Sequence, residues 1–167
     1  MPTNDLLESP AAVETEVFRR AVSQLPTGVC VVTAHGDAGP VGCTVNAVMS
    51  LSVHPPSLVV SLGAAGTTAA QVVGAGRFAV NVLAYRDRAL VPKFAIGPMQ
   101  DRFAGVDWHT AAGAPVLSGS SVAFVCEVTD VVCVLDHALV VGKVLWTREG
   151  AAVPTVLYRR DQYLLHG

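Results

Sequence analysis

Two long runs of β-branched and other apolar residues, separated by only three residues, constrain the fold of this chain more than any other feature. The runs cover residues 122–134 and 138–146, and the sequence Leu135-Asp136-His137 connects them. β-Branched residues favour strands, and so short a connection is typical of two antiparallel strands joined in a hairpin. The pattern therefore predicts one long hairpin.

Shorter strand-like segments occupy most of the remaining chain, with few helices between them. Helices are predicted from Ser9-Pro10 to Leu25, over residues 67–73, and over residues 86–96 with a break around Pro92. Strands are predicted over residues 28–34, 41–46, 57–62, 77–83, 155–158 and 162–165, and residues 97–119 are predicted to be mostly loop. This order predicts a closed, mainly antiparallel β-barrel. We expect an N-terminal tail and helix start over residues 1–15 and one domain over residues 16–167.

The composition limits the classes of partner. Apolar residues make up 51% of the chain and charged residues 14%, and the mean hydropathy is +0.49. So large an apolar fraction predicts that part of the surface is covered in a subunit interface. No apolar stretch is long enough, with enough helix-forming character, to span a bilayer, and the N-terminus lacks the pattern of a signal peptide. A formal net charge of −2 gives no electrostatic footprint for nucleic acid.

The cysteines predict neither a disulfide framework nor a metal site. Cys30, Cys43, Cys126 and Cys133 lie in apolar, strand-like runs, and none forms a Cys-x-x-Cys pair. Cys133 and His137 are four positions apart, but no second ligand pair accompanies them. We expect buried thiols that pack as small apolar side chains, in a reducing cytoplasm.

The segment from residue 41 to residue 52 is the best candidate for a binding wall. Alternation places Thr44 and Asn46 side by side on one face of a strand, and Ser50 and Ser52 are expected in a turn that follows it. Small donors and acceptors of this kind suit a flat heterocycle edged with carbonyl oxygens and ring nitrogens. A hairpin strand with a polar outer face explains the same pattern without a ligand.

Two glycine-containing segments are candidates for holding a phosphate. Residues 74–79 match a dinucleotide fingerprint by letters, but a helix precedes them and a strand follows, so we interpret them as a helix end. Residues 63–68 follow a strand and lead into a helix at Thr67, whose first amides are suited to an anion. An ordinary Thr-capped helix is the alternative.

A series of motifs resembles one known family, the short-chain flavin reductases that serve two-component flavin-dependent monooxygenases. The resemblance covers residues 16–164 and depends on the order and spacing of the motifs. In chain order they are Phe18-Arg19-Arg20-Ala21, Pro26-Thr27-Gly28-Val29, the Thr-x-Asn-x-x-x-Ser-x-Ser run from Thr44 to Ser52, Gly76-Arg77-Phe78-Ala79-Val80-Asn81-Val82-Leu83, Lys93-Phe94-Ala95, Asp101-Arg102-Phe103-Ala104-Gly105-Val106, Asp136-His137-Ala138-Leu139 with Gly142, and Tyr163.

The resemblance implies a mainly β fold, a split β-barrel of the flavin reductase and FMN-binding type with a few short helices. It implies NAD(P)H-dependent reduction of FMN or FAD, with NADH or NADPH as hydride donor, in a homodimer that passes reduced flavin to a monooxygenase. His137 is expected beside the nicotinamide as the catalytic residue. The cofactor-binding residues that it implies are Thr27, Thr44, Val45, Asn46, Ala47, Ser50, Ser52, Ser61, Gly66, Thr67, Thr68, Lys93, Phe94, Ala95, Asp136 and Tyr163.

Departures from the family pattern keep other functions open. Ala64 stands in a stretch where the family has a basic residue, and Leu135 and Ala138 replace a glycine and a threonine around His137. A flavin carrier without efficient NAD(P)H turnover is the first alternative, and a dimeric interaction module without flavin is the second. The serines of residues 118–121 lack the strand and spacing of a hydrolase nucleophile.

Overall fold

The predicted long hairpin is present in the computed structural model, which describes residues 12–158 and 161–164, with the backbone alone at residue 158 and residues 162–164. The helices are α1 (Thr15–Val22), α2 (Thr67–Ala75) and α3 (Leu90–Ala95), with 3-10 turns at Tyr85–Asp87 and Met99–Asp101. The strands are β1 (Thr27–Gly28), β2 (Cys30–Gly36), β3 (Gly39–Val45), β4 (Val48–Val53), β5 (Pro56–Gly63), β6 (Arg77–Val82), β7 (Trp108–Ala111), β8 (Ala114–Leu117), β9 (Val122–Val134), β10 (His137–Glu149), β11 (Thr155–Tyr158) and β12 (Asp161–Leu164).

The main sheet is antiparallel, and its described strands follow the order β3-β2-β6-β9-β10-β5-β4. Strands β3 and β4 are its two edges, although only Asn46 and Ala47 separate them in sequence. The sheet therefore curves back on itself without closing through a β3–β4 ladder. The expectation of a closed barrel is wrong in this respect, whereas the expected split β-barrel agrees with the observed sheet.

The core lies inside the curved sheet and beneath α2. Phe78, Val80, Val60 and Val140 are fully buried there, because alternate positions of their strands face inward. A β-carbon at Gly142 would lie 2.5 Å from the Phe78 ring, so only glycine lets β10 pass this ring. The lower face of α2 adds Ala69 and Val72 to the same cluster.

Several predicted elements differ from those observed. The predicted helix start at Ser9-Pro10 lies outside the described residues, and α1 ends at Val22 rather than near Leu25. The break in the 86–96 segment falls before α3, and Pro92 lies in the first turn of that helix, where no amide donor is required. The predicted loop 97–119 contains the β7–β8 hairpin. Its four-residue strands are too short for a clear periodicity.

The expected serine-containing turn is also wrong. Ser50 and Ser52 belong to strand β4, which pairs with β5 through an irregular register between these two serines. The Ser52 side chain accepts a hydrogen bond from the backbone amide of His54. The apolar residues between and beside the serines made the segment equally compatible with a strand.

Exposed apolar side chains concentrate on three surfaces. Met49, Leu51 and Val53 lie exposed on edge strand β4, and no residue of α1 is buried. The far end of the long hairpin exposes Val131, Val132, Val134 and Leu135. Surfaces of this kind agree with the expected subunit interface, which stays a prediction. None of the described helices has the length and apolarity needed to cross a membrane.

Candidate functional site

An open cleft of about 370 Å³ lies where the main sheet fails to close. Its walls come from the end of β3, the β3–β4 connection, the end of β5, the first turn of α2, the segment after α3 and the start of β10. Many residues expected to bind cofactor line this cleft: Thr44, Val45, Asn46, Ala47, Ser61, Gly66, Thr67, Thr68 and Ala95, together with His137. The topology therefore brings together residues from four distant parts of the sequence.

The β3 wall presents small polar groups on a fixed backbone. The Thr44 hydroxyl donates a 2.7 Å hydrogen bond to the Val91 carbonyl, which fastens α3 against the strand. The backbone amide of Ser61 donates to the Ala47 carbonyl at 3.0 Å, and this bond holds the β3–β4 connection against β5. Within the described part of the chain, the side chains of Asn46 and Ser61 form no hydrogen bond. Their donors and acceptors are therefore free for a ligand.

The first turn of α2 forms the opposite wall. Its N-cap residue, Gly66, supplies no side-chain cap, so backbone amides at this end are left for another acceptor. The Thr67 hydroxyl donates to the Met99 sulphur at 3.3 Å, which joins α2 to the segment after α3. Thr68 is buried and shares a hydrogen bond with the thiol of Cys43. This geometry suits a negatively charged group at the helix start.

Cys43 connects the two walls. Burial raises the pKa of its thiol, while the hydrogen bond with Thr68 and the positive charge of Arg102 act in the opposite direction. The three side chains therefore lie at the same end of the cleft. The thiol is kept protonated, as for Cys30 and Cys126, where burial raises the pKa to about 12.

Arg102 is a charged residue of the cleft that was not among the predicted site residues. Its Nε donates to the Gly97 carbonyl at 3.0 Å, and its Nη1 donates to the Gly42 carbonyl at 2.7 Å. These bonds hold the segment after α3 against β3. The residue belongs to one of the quoted motifs, and its charge was the available signal, but its loop gave no indication of which face it joins.

Lys93, the basic residue expected at the phosphate, does not line the cleft. Its Nζ donates to the Ala104 carbonyl. The neighbouring Phe94 is fully buried in a second apolar cluster, where it meets the Phe103 ring edge-on at 5.1 Å between centroids. Both residues therefore support the wall of the site from behind.

His137 lines the cleft at the start of β10, whereas Asp136, in the hairpin turn before it, is not among the lining residues. The Nδ1 atom of His137 and the Oδ1 atom of Asp136 are 2.8 Å apart, and this hydrogen bond lowers the pKa of the Asp136 carboxyl, with smaller effects from a backbone hydrogen bond and the histidine charge. The amide of Ala64 donates to the Asp136 carbonyl at 2.9 Å. The hairpin turn is thereby fastened to the loop that leads into α2.

Three other predicted binding residues lie away from the cleft. Ser50 and Ser52 do not line the cleft, and neither does Thr27, which lies on β1 with a buried hydroxyl that has no partner among the described residues. The side chain of Tyr163 lies outside the described residues. Across the described ranges, no three His, Cys, Asp or Glu side chains gather in a way that would hold a metal ion.

A family model and the sequences of known relatives identify the same protein family. A model of the family described as flavin reductase like domain matches residues 22–164. FMN reductase (NADH) RutF of Ancylobacter novellus is 35% identical over 163 residues, covering 96% of this chain and 90% of RutF. The stachydrine N-demethylase reductase subunit Stc3 of Rhizobium meliloti is 37% identical over 133 residues, covering 78% of this chain and 57% of Stc3. This chain spans 42% of the length of another R. meliloti relative.

Solved structures of the same shape agree with this family. The NADH:FAD oxidoreductase SgcE6 of Streptomyces globisporus, solved with NAD and FAD fragments, has a TM-score of 0.85 and 27% identity, covering 93% of this chain and 96% of SgcE6. The styrene monooxygenase flavin reductase SMOB of Pseudomonas putida S12 has a TM-score of 0.82 and 30% identity, covering 89% of this chain and 97% of SMOB.

Proposed function

Since this chain belongs to the family of flavin reductase like domains, we propose that it catalyses the NADH-dependent reduction of FMN or FAD in the cleft at the split of its barrel. The observation that carries the proposal is the shared position of the Thr44–Ala47 wall, the α2 start and His137 around one opening. NADH is preferred to NADPH in the proposal because the similar reductases RutF and SgcE6 are named for NADH.

The residues of the cleft fit a flavin. The volume falls within the range of roughly 300 to 1,000 Å³ that small-molecule sites occupy. Asn46 and Ser61 offer unused amide and hydroxyl groups to a polar ring edge, and the α2 start and Arg102 offer positive potential to a phosphate. A bound flavin supplies the redox chemistry by accepting two electrons and a proton equivalent from the nicotinamide.

The role of the protein in this mechanism is to hold the flavin ring and the nicotinamide ring next to each other. The Thr44 hydroxyl donates its hydrogen to the Val91 carbonyl, so its lone pairs can still accept a hydrogen bond from a ligand. Asn46 follows in the β3–β4 connection and also lines the cleft. His137 stands at the open side, where Asp136 fixes its ring orientation through Nδ1 and leaves Nε2 for the nicotinamide amide. Such positioning contributes proximity and orientation without a strong acid, base or nucleophile.

The proposal includes a homodimer that supplies reduced flavin to a separate monooxygenase in the cytoplasm. The exposed apolar residues of β4 and of the hairpin end support a second copy as partner. The likeness to SMOB, a reductase of a styrene monooxygenase, supports the oxygenase as recipient. The free cysteines of the described chain agree with a reducing compartment.

Sedimentation velocity of wild type and Leu51→Glu tests the dimer. A charge placed on exposed β4 should give monomers, whereas Thr110→Glu on exposed strand β7 should leave the dimer intact. A monomeric wild type would contradict this part of the proposal.

Aerobic oxidation of NADH and NADPH, followed by absorbance with FMN or FAD added in turn, tests the activity. We expect flavin-dependent oxidation of NADH, with a KM for NADH about tenfold higher in His137→Ala. His109→Ala, an exposed histidine on β7, is the matched control and should behave as wild type. Flavin binding without oxidation of either nucleotide would favour a carrier instead, and the absence of both would favour an interaction module.

A further inference from the structure

A second cavity, of about 550 Å³, opens beside the cleft, and we call it the turn cavity. Its walls are the β2–β3 turn with the start of β3, the middle of α2, and part of the segment after α3. Pro40, Val41 and Phe103 make much of its lining apolar. None of the predicted cofactor-binding residues lines it, so the cavity is a feature that the proposed function has not used.

The turn cavity adjoins the end of the cleft at the start of α2, because the same elements line both. Met99 belongs to both linings, and its sulphur accepts the hydrogen bond from Thr67, the first residue of α2. Gln71 of the turn cavity follows Thr67 by four residues, so it lies on the same face of α2, about 6 Å further along the helix axis. On β3, Val41 of the turn cavity lies two residues before Cys43 of the cleft, about 7 Å away on the same face.

The polar side chains of the turn cavity suit a nucleoside. Gln71 is half-buried, Asp37 and Gln100 are exposed, and none of the three forms a side-chain hydrogen bond within the part of the chain that the structure describes. A glutamine amide donates and accepts at once, which matches the N6 and N7 positions of adenine. A carboxylate such as that of Asp37 accepts hydrogen bonds from ribose hydroxyls. The ring of Phe103, which meets Phe94 edge-on, adds an aromatic surface for the base.

We propose that the turn cavity holds the adenosine half of FAD and makes this chain prefer FAD to FMN. The inference rests on the proposed function and names the flavin that the same site takes. FMN ends at its phosphate, whereas in FAD that phosphate continues through a second phosphate and a ribose to adenine. Because the turn cavity begins one helical turn beyond the α2 start, where the flavin phosphate is placed, the adenosine of FAD reaches it and FMN leaves it empty.

Isothermal titration of FAD and FMN into wild type, Gln71→Ala and Val73→Ala tests the inference. Wild type should bind FAD about tenfold more tightly than FMN. Gln71→Ala should weaken FAD binding by about fivefold to tenfold, the effect of one or two neutral hydrogen bonds, and change FMN binding by less than about twofold. Val73→Ala, which truncates an exposed residue of α2 that lines neither cavity, is the matched control and should bind both flavins as wild type does. Equal weakening of FAD and FMN in Gln71→Ala would overturn the inference.

NADH also carries an adenosine, and its KM distinguishes this second source. With FMN as the acceptor, the KM for NADH should be the same in wild type and Gln71→Ala. A higher KM for NADH in Gln71→Ala, with the ratio of FAD to FMN affinity unchanged, would assign the turn cavity to NADH and overturn the inference.

The wild type alone decides the matter if the variants do not fold. Millimolar adenosine, which has no phosphate, should weaken FAD binding and leave FMN binding unchanged. Equal affinities for FAD and FMN, or equal competition by adenosine against both, would overturn the inference while flavin-dependent NADH oxidation still supports the proposed function. Preference for FAD without oxidation of NADH or NADPH would contradict the proposed function and leave the adenosine site standing. A wild type that binds no flavin overturns both.

Discussion

Asn81 in the interior and Asn46 in the cleft carry the same amide group in opposite situations. The Asn81 Nδ2 donates to the Val31 carbonyl and the Thr33 hydroxyl, both at 3.0 Å, and its Oδ1 accepts from the Leu117 amide at 2.8 Å and from Ser120 at 3.5 Å. Asn46 is exposed on the cleft wall, and among the described residues its side chain has no hydrogen bond. The interior amide is saturated by protein, and the cleft amide is left for something else.

This difference separates the polar groups that hold the fold from those that suit a ligand. Asn81 lies on β6, and its side-chain hydrogen bonds connect this strand to β2 and β8. Loss of this side chain therefore removes contacts among all three strands. Arg102 is intermediate between the two cases, because two of its donors fasten a loop and the residue also lines the cleft. Substitution of Asn81 should therefore lower the stability of the fold, whereas substitution of Asn46 should lower the affinity for ligand.

The largest expected effect is on stability at Asn81. Asn81→Leu keeps the side-chain size but leaves the buried Leu117 amide without its acceptor and the Thr33 hydroxyl without one donor, which should lower the free energy of unfolding by about 3 kcal/mol. Urea unfolding followed by circular dichroism measures this. Asn46→Leu should change the stability by less than about 0.5 kcal/mol. Similar losses in the two variants would break the comparison.

The next effect is a pH dependence of the interior. Burial raises the pKa of Cys126 from 9.0 to about 12, so the folded state keeps a proton that the unfolded state loses above pH 9, and stability falls as the pH rises. Between pH 8 and pH 10 this amounts to about 1.4 kcal/mol per thiol. Cys126→Ala should therefore lose about 1.4 kcal/mol less stability than wild type between pH 8 and pH 10, as measured by urea unfolding at the two pH values. An unchanged slope in Cys126→Ala would argue against the burial of this thiol.

Substitutions in the cleft should change the affinity for FMN without changing the stability of the fold. Asn46→Ala removes the free amide and should raise the dissociation constant of FMN by about tenfold, equivalent to about 1.4 kcal/mol. Its unfolding midpoint in urea should match wild type. Ser50→Ala on β4, outside the cleft, is the control and should bind FMN as wild type does. Equal weakening in both variants would remove Asn46 from the site.

The smallest effect concerns the turn that carries His137. Leu135 has a backbone φ of 53° and is 99% exposed, so its side chain makes no contribution through burial while its backbone occupies a region that favours glycine. Leu135→Gly should therefore raise the stability by about 0.5 to 1 kcal/mol. Ala34→Gly in a buried strand should have the reverse effect. Destabilisation by Leu135→Gly would show that the turn is not strained.

Most strands and the end of α2 could be predicted from the sequence, because long β-branched runs and glycine turns are local signals. The α2 helix, its glycine end and the β9–β10 hairpin agree with that prediction. Strand β4 was mistaken for a turn because its serines resemble loop residues, although pairing with β5 decides their conformation. Pairing of this kind depends on residues far away in sequence.

The candidate site was predicted where one strand or turn carries several residues together, as at Thr44–Ala47. The sequence does not show which of the two basic residues, Lys93 or Arg102, lines the cleft. Each lies next to a loop, and the direction of its side chain depends on which backbone carbonyl accepts its hydrogen bond. Lys93 finds the Ala104 carbonyl, and Arg102 finds those of Gly97 and Gly42. These are tertiary contacts without a local sequence signal.

A crystal structure of the complex with FMN tests the central claim most directly. The account predicts the ring along Thr44–Ala47 with Asn46 as a hydrogen-bond partner, and the phosphate between Arg102 and the first turn of α2. FMN bound instead in the separate cavity lined by Leu83, Leu117 and Ser118, with the cleft free of flavin, would contradict it.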